Sequence, residues 1–310
     1  MNRMHHYNLY IRNVSIMTGN NKSMNTSQSH LKKVGILHPG MMGISVAAAI
    51  QNGGHQVYWA SQGRSGQTRD RADKYQLDDA GTLKKLCGMT DIIISVCPPH
   101  TAEDVAGQVQ AQRYSGIYVD ANAISPQRAR HIAEMMGKAG ITFVDGGIVG
   151  LPAWEPGETW LHLSGKRSDE VATLFAGGPM ETNIVGEQPG QASALKMCYA
   201  AYTKGSTALL SAVIATAEAM GVRSALEQQW SSHWPGFPEE THTRIRNITT
   251  KAWRFTGEMQ EIADTFRQAG MPSGFHEAAG KIYASLGHFK NEPVKPTMEQ
   301  VLKALAGKSG

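Results

Sequence analysis

Cysteine is scarce in this chain: Cys87, Cys97 and Cys198 are the three among 310 residues. They are scattered and odd in number. That excludes a disulfide framework, offers no metal-ligand spacing, and suits a cytoplasmic setting. Long apolar runs are missing as well. No stretch reaches about 18 consecutive apolar residues, so no membrane span is expected. Charge of one sign is also thin. Thirty Lys and Arg against 26 Asp and Glu leave a net charge of +4, spread along the chain. Such a balance forms no basic stripe for nucleic acid and favours small anionic ligands weakly. What is present is ordinary globular composition, 41% hydrophobic and 18% charged, in a chain long enough for two domains.

Residues 1–30 differ from the rest. Asn, Ser, Thr and His dominate without periodicity, and a short apolar piece at 10–17 is no signal-peptide core. The reading is a disordered tail, or translation from a start upstream of Met17 or Met24. His5 and His6 read as solvated.

Residues 34–43 hold the most informative pattern. An apolar strand, Val34-Gly35-Ile36-Leu37, runs through His38-Pro39-Gly40-Met41-Met42-Gly43 into a helical stretch at 44–50. Strand, Gly-x-x-Gly turn and helix N-terminus together form a dinucleotide-binding layout. Gly40 lets the main chain approach a pyrophosphate, and Gly43 lets the helix pack on the strand. The helix stops at Asn52-Gly53-Gly54, and a second strand follows at 55–60. The usual first glycine of the motif is His38, which precedes Pro39 and is therefore expected to be extended. The candidate cofactor-binding residues here are His38, Pro39, Gly40, Met41, Met42 and Gly43.

Further strands are expected at 91–96, 116–120, 141–145, 159–164 and 183–185, with helices between them, one over 69–76. Thr101 and Ser125 are the expected helix caps, the latter with Pro126 at the first helical position. This alternation predicts a Rossmann-type doubly wound α/β sheet with ligands outside the carboxyl ends of its strands. Cys97 and Pro98 lie at one such end and join the cofactor candidates, Cys97 as a packing group rather than a nucleophile. From residue 188 the strand pattern ceases. Residues 192–219 are Ala- and Leu-rich and helical, and an all-helical domain follows, with breaks near 234–238 and 270–272. The expected division is a tail at 1–30, a nucleotide-binding domain at 31–187 and a helical substrate and dimerisation domain at 188–310.

NAD sites carry an Asp or Glu at the end of the second strand, on the ribose hydroxyls. Here that place is Ser61, followed by Arg64 and Ser65. No acid repels a 2′-phosphate, and Arg suits phosphate well. NADP is the expected cofactor, with NAD the alternative; Arg64 as a solvated loop charge is the plainer reading.

These residues resemble the β-hydroxyacid dehydrogenase superfamily, which includes 3-hydroxyisobutyrate and 6-phosphogluconate dehydrogenases. Four places over residues 33–290 carry the resemblance: 35–43, Asp120-Ala121-Asn122-Ala123-Ile124-Ser125-Pro126, Asp145-Gly146-Gly147-Ile148-Val149-Gly150, and Gln191-Ala192-Ser193-Ala194-Leu195-Lys196-Met197. Glu258-Met259 and Ile262-Ala263 fit a late motif of the superfamily. Trp253-Arg254-Phe255 and Gly274-Phe275-His276 look like features of a phosphogluconate-dehydrogenase-like branch with a poorly characterised C-terminal domain. The chain departs from the pattern at His38, Asn122, Ala123, Val149, Ala200 and Gly257, where the superfamily carries glycine, serine, threonine, serine, asparagine and lysine.

The resemblance makes Lys196 the candidate catalytic residue. Tyr199, Ala200, Thr203 and Lys204 lie three, four, seven and eight residues on, along one helix face. A lysine in a partly dry cleft has a lowered pKa and can exchange a proton with a substrate oxygen as hydride moves. Asn122 suits a substrate oxygen, the nicotinamide amide, or a turn. Gly150, Tyr199, Thr203 and His276 complete the substrate candidates, with core packing the alternative for Tyr199 and His276. The implied function is an NADP-dependent oxidoreductase acting on a small polar hydroxy or keto compound. Two alternatives stand beside it. One is imine reduction, which the departures at Asn122, Val149 and Ala200 favour and Lys196 opposes. The other is NADP(H) binding without turnover. A homodimer is expected from the apolar helical domain and from the resemblance.

Overall fold

Strand β1 (Lys33–Leu37) forms because its side chains alternate between two packed layers, and four of its five residues are buried. The structure, a computed structural model, describes residues 31–290 and 292–307; the expected tail at 1–30, with His5 and His6, lies outside them. Helix α1 (Met41–Asn52) ends at Gly53, and Gly54 takes a positive φ of 85°, as the Gly pair predicts. Then come β2 (Gln56–Trp59), α2 (Gly66–Lys74), a two-residue β3 (Asp78–Asp79), α3 (Leu83–Met89), β4 (Ile92–Ser95), α4 (Ala102–Ala111), β5 (Ile117–Asp120), α5 (Pro126–Lys138) and β6 (Thr142–Gly150).

After β6 the chain continues through β7 (Thr159–Ser164), α6 (Ser168–Thr173) and β8 (Met180–Gly186). The remainder is helical: α7 (Gln191–Ala219), α8 (Arg223–His233), α9 (Phe237–Ile248), α10 (Ala252–Gln268), α11 (Gly274–Ser285) and α12 (Met298–Leu305).

The eight strands make one sheet in the order β3-β2-β1-β4-β5-β6-β7-β8. The first six reproduce the doubly wound dinucleotide-binding order. β6 and β7 are antiparallel, and the other neighbouring strands are parallel. Leu37, Ser95, Asp120 and Asp145 lie in one row across β1, β4, β5 and β6. The residues just beyond that row form the carboxyl edge where ligands sit.

One sheet face packs on Ile44, Ala47 and Ile50 of α1 and Val171 of α6. The other packs on Leu86, Val105, Val109, Ile132 and Met136 of α3, α4 and α5. The Ile92-Ile93-Ile94 run is fully buried because it feeds both layers. A third core, from Met197, Ala208 and Ile214 of α7 to Met259, Ile262, Tyr283 and Val301, holds the helical part together.

Several local expectations change. α2 starts at Gly66, because Ser65 accepts the Thr68 N–H and caps it, rather than at 69. Thr101 stands at the N-cap of α4, at the end of a 3-10 turn over Pro99–Thr101, but its hydroxyl bonds to the Pro98 carbonyl and takes no helix N–H. Ser125 does stand at the N-cap with Pro126 behind it; its hydroxyl accepts no helix N–H, and its backbone N–H donates to Glu261. Among the described residues no helix is long and apolar enough to cross a membrane, and no group of three or more His, Cys, Asp or Glu side chains is placed to hold a metal ion.

Candidate active site

The turn between β1 and α1 is tight and left-handed at its start. His38 has φ +69°, not the extended conformation that the following proline predicts. Gly40 N–H bonds back to the His38 carbonyl at 2.7 Å, closing the turn over Pro39. That closure overrides the local preference before proline, and a non-glycine residue there costs on the order of 1 kcal/mol. Gly43 is obligatory for packing, since a Cβ would lie 2.4 Å from the His38 carbonyl oxygen. Gly40 differs. A Cβ there would meet nothing closer than 3.9 Å, so its bareness leaves open space in front of α1. The first-turn amides at Met41, Met42 and Gly43 have no intrahelical acceptors and can hold an anion in that space. Met41 is exposed, and Met42 packs on the core beneath.

Beside the turn lies a cavity of about 160 Å³ lined by Leu37, His38, Ala60, Gln62, Arg64, Leu83, Val105 and Gln108. It adjoins a wider space of about 370 Å³ that adds Pro98, Thr101 and Asp104. His38 Nδ1 and Arg64 Nε are buried without a hydrogen-bond partner among the described residues. Unmet buried polar atoms cost about 1 to 3 kcal/mol each. Burial, with the Arg64 charge adding to it, pushes the His38 imidazole down to about 4, so it is neutral near pH 7. Ser61 is turned to other work: its N–H reaches Asp79 Oδ1 at 3.3 Å and its carbonyl takes Arg69 at 2.8 Å. This edge of the sheet fits an adenine dinucleotide, with bare Gly40 and free amides for the pyrophosphate and two unpaired donors beside a cavity.

At the next strand ends, Asn122 is 2% exposed and faces inward. Its Oδ1 accepts the Cys97 N–H at 2.5 Å and its Nδ2 donates to Ser95 Oγ at 3.2 Å. Both ends of the amide are engaged in joining β4 to β5. Burial raises the Cys97 thiol, in keeping with a packing role. Below the turn, Asp120 is fully buried, with Oδ1 bonded to the Asn122 N–H at 3.0 Å. Its Oδ2 has no partner among the described residues, and burial holds the carboxyl at about 7.

Lys196 lies on the first turns of α7, above β6. Gly147 makes this possible, because a Cβ there would meet the Ala192 carbonyl oxygen at 2.7 Å and the Lys196 Cβ at 3.1 Å. Asp145 fixes the start of the helix. Its carboxylate accepts the N–H groups of Gly190 and Ser193 at 2.9 and 3.0 Å and the Ser193 hydroxyl at 2.6 Å. Lys196 Nζ donates to the Ile148 carbonyl at 2.7 Å, three residues past the row that ends the parallel strands. Burial pushes its pKa down to about 8; Glu258 opposes the shift and Lys204 adds to it. Lys204 and Glu258 form an ion pair across α7 and α10. Burial alone would raise the Glu258 carboxyl, yet the Lys204 and Lys196 charges outweigh it and hold it low.

The other substrate candidates are not gathered at Lys196. Tyr199 is 53% exposed, and Thr203 bonds its hydroxyl to the Tyr199 carbonyl on the outer edge of α7. Gly150 has φ +122°, and a Cβ would lie 2.2 Å from the Glu158 oxygen, so the entry to β7 demands glycine there for packing. His276 is buried between Phe266 and Phe275, against Gly205, about 13 Å along α7 from Lys196. Sequence reasoning missed Gln62, Gln108, Asp145 and the pairing of Lys204 with Glu258. The spacing of Lys204 from Lys196 signalled its face; its partner, 54 residues away, had no local signal.

Residues 33–157 match the NAD binding domain of 6-phosphogluconate dehydrogenase, and residues 217–286 match a domain of unknown function, DUF1932. An uncharacterized 28.5 kDa protein in the 7S RNA 5′ region of Methanothermus fervidus is 32% identical over 168 residues, 54% of this chain. The match spans 64% of that relative's length. A conserved protein of unknown function, described as structurally similar to 3-hydroxyacid dehydrogenases, is 26% identical, with a TM-score of 0.64 over 83% of this chain and 97% of its own. The 3-hydroxyisobutyrate dehydrogenase of Mycobacterium tuberculosis is 16% identical and shares the fold, with a TM-score of 0.67 over 89% of this chain and 99% of its own. The chain thus carries an NAD-binding domain of the 6-phosphogluconate dehydrogenase type joined to a DUF1932 region, as its motifs predict.

Proposed function

We propose that this chain is an NADP(H)-dependent oxidoreductase for a small polar hydroxy or keto compound, with Lys196 as the group that moves the proton. The observation that carries the reading is the setting of Lys196. It is a lysine with a pKa near 8, bonded to the Ile148 carbonyl at the same sheet edge as the Gly40–Gly43 turn. When bound, the nicotinamide supplies or accepts hydride. Neutral Lys196 takes the proton of a substrate hydroxyl in oxidation, and its protonated form returns one to the oxygen in reduction. Glu258 and Lys204 set the charge around it. A carbonyl hydrogen bond holds the amine in place until substrate arrives.

The functional division follows the same lines: residues 31–187 hold the nucleotide, and 188–310 close over the substrate and pair with a second copy. Tyr199, Tyr202 and Leu209, exposed at helical spacing on α7, support that pairing. Three free thiols agree with a cytoplasmic setting.

The test is NADPH oxidation by the purified chain across hydroxy acids, keto acids, aldehydes and cyclic imines. Lys196→Ala should lower kcat/KM by about 10² to 10⁴ while NADPH binding survives. Full activity in that variant would remove Lys196 from the mechanism. Turnover confined to cyclic imines would replace the reaction class. Binding with no turnover on any member would leave a nucleotide-binding protein.

A further inference from the structure

We propose that His38 is a specificity-determining residue, which together with Arg64 seats the 2′-phosphate of NADP(H). The inference rests on the cofactor reading above and adds a residue to it that the dinucleotide motif does not supply. The usual occupant of this position is a glycine. Here an imidazole takes its place in the left-handed conformation that favours glycine. Something other than the backbone therefore accounts for the side chain.

Three observations point to an anion. First, His38 Nδ1 and Arg64 Nε are buried without partners among the described residues, one at the end of β1 and the other just past β2. Both line the cavity and its wider neighbour, and these two spaces share His38, Arg64, Val105 and Gln108. Arg64 Nε–H is a donor, and neutral His38 is one in its Nδ1–H tautomer, so the pair at one cavity suits an acceptor with several oxygens. Second, the charged groups and the serines of the β2 loop other than Arg64 are already engaged. Asp79 holds the Ser61 N–H, and the Ser65 hydroxyl caps α2. Arg69 and Arg71 are anchored on the carbonyls of Ser61 and Pro39, and add positive charge behind the turn. Third, the acid that NAD sites place at the end of the second strand is absent from Ser61. Asp79 lies nearby on β3, but its Oδ1 is held by the Ser61 and Gly81 N–H groups. Asp104 of α4 lines the outer space and not the inner one.

A phosphate monoester between His38 and Arg64 answers both unmet donors. Gln108, on the α4 wall of the same cavity, is left for the adenine that the ester carries.

Two probes that differ only in the 2′-phosphate decide the matter: adenosine 2′,5′-bisphosphate and adenosine 5′-monophosphate, titrated calorimetrically into the full chain. The wild-type chain should prefer the bisphosphate by about 100-fold or more. His38→Gly restores the residue that φ favours, so it folds, and a thermal melt checks this. The ratio of its affinities for the two probes should fall about ten-fold from that of the wild type. Arg64→Ala should lose at least as much, and the double variant nearly all. An undiminished preference in H38G overturns the role of His38 and leaves the NADP reading intact. Equal affinity for the two probes in the wild-type chain overturns both the seat and the NADP preference. Binding of neither overturns the cofactor reading itself, and the seat with it.

Discussion

Glu261 on α10 accepts the backbone N–H of Ser125, at the head of α5, on its Oε2 at 2.8 Å. Its other oxygen pairs with Arg128 one turn along α5. A helix from the C-terminal part of the chain is thereby bolted to the helix that follows the Asn122 turn. Glu261 is 7% exposed, so the carboxylate is held by these partners and not by water. Glu261→Ala leaves a buried N–H unmet and the half-buried Arg128 guanidinium with Glu103 as its remaining carboxylate. Stability should fall by about 2 to 4 kcal/mol in urea titration. Glu261→Gln keeps one acceptor and should recover part of the loss. A Glu261→Ala chain as stable as the wild type would show that the bolt contributes nothing.

Activity should titrate with Lys196. Burial lowers its pKa to about 8, so the neutral base accumulates as pH rises through that value. kcat/KM for oxidation should therefore climb to a plateau above about pH 8, and for reduction should decline over the same range. Charge changes at its neighbours should move this midpoint in opposite directions. Glu258 raises the Lys196 pKa and Lys204 lowers it. Glu258→Gln should shift the profile to lower pH, and Lys204→Met to higher pH, each by about one pH unit. Shifts of the same sign in both variants would point to distortion of α7 and exclude simple electrostatics.

Asp120 should make stability pH-dependent. Burial raises its carboxyl to about 7, above the ordinary value near 3.9. Between those values the folded chain holds more protons than the unfolded one. The associated stability is complete below about pH 4 and is lost as pH rises through about 7. Asp120→Asn removes the penalty of a buried charge. It should match the wild type at pH 4 and exceed it above pH 7 by on the order of a few kcal/mol in denaturant titration. Parallel stability curves for the two chains would remove Asp120 as the source.

The strand–turn–helix at 33–52 was legible because three local signals agree there: an apolar run, glycines at a turn, and a capped helix. The strands at 92–95 and 117–120 were legible because burial on both faces selects β-branched runs. Reversal of direction at β7 was not, since an eight-residue connection between β6 and β7 leaves no periodic mark. Lys196 stood out by its motif, and the structure sets it over β6 beside Lys204. The inward turn of Asn122 left no local signal, because it depends on Ser95 and Cys97, more than 20 residues away. His38 stood among the cofactor candidates, but its backbone conformation was not legible. The proline after it argued for extended backbone, and a 2.7 Å turn closure prevailed.

Gly147 is the tightest constraint on where Lys196 sits, and adding one methyl group there tests the whole arrangement. In the present backbone that methyl would lie 2.7 Å from the Ala192 carbonyl oxygen, which a helix yields only by moving as a body. Asp145 resists that movement through Gly190 and Ser193. Strain should then appear as a loss of about 1 to 3 kcal/mol in stability. Whatever movement does occur carries Lys196 off the Ile148 carbonyl, and a displacement of about 1 Å costs about 10² in rate. Gly147→Ala should therefore lower kcat/KM about 100-fold. NADPH affinity should change little, because the nucleotide turn belongs to β1 and α1. The neighbouring Gly146 faces β5 instead, where a Cβ would meet the Asp120 carbonyl oxygen at 3.1 Å. Gly146→Ala should strain the sheet and spare the position of α7. If Gly147→Ala turned over as fast as the wild type, the seat of Lys196 on β6 would not be what sets the rate.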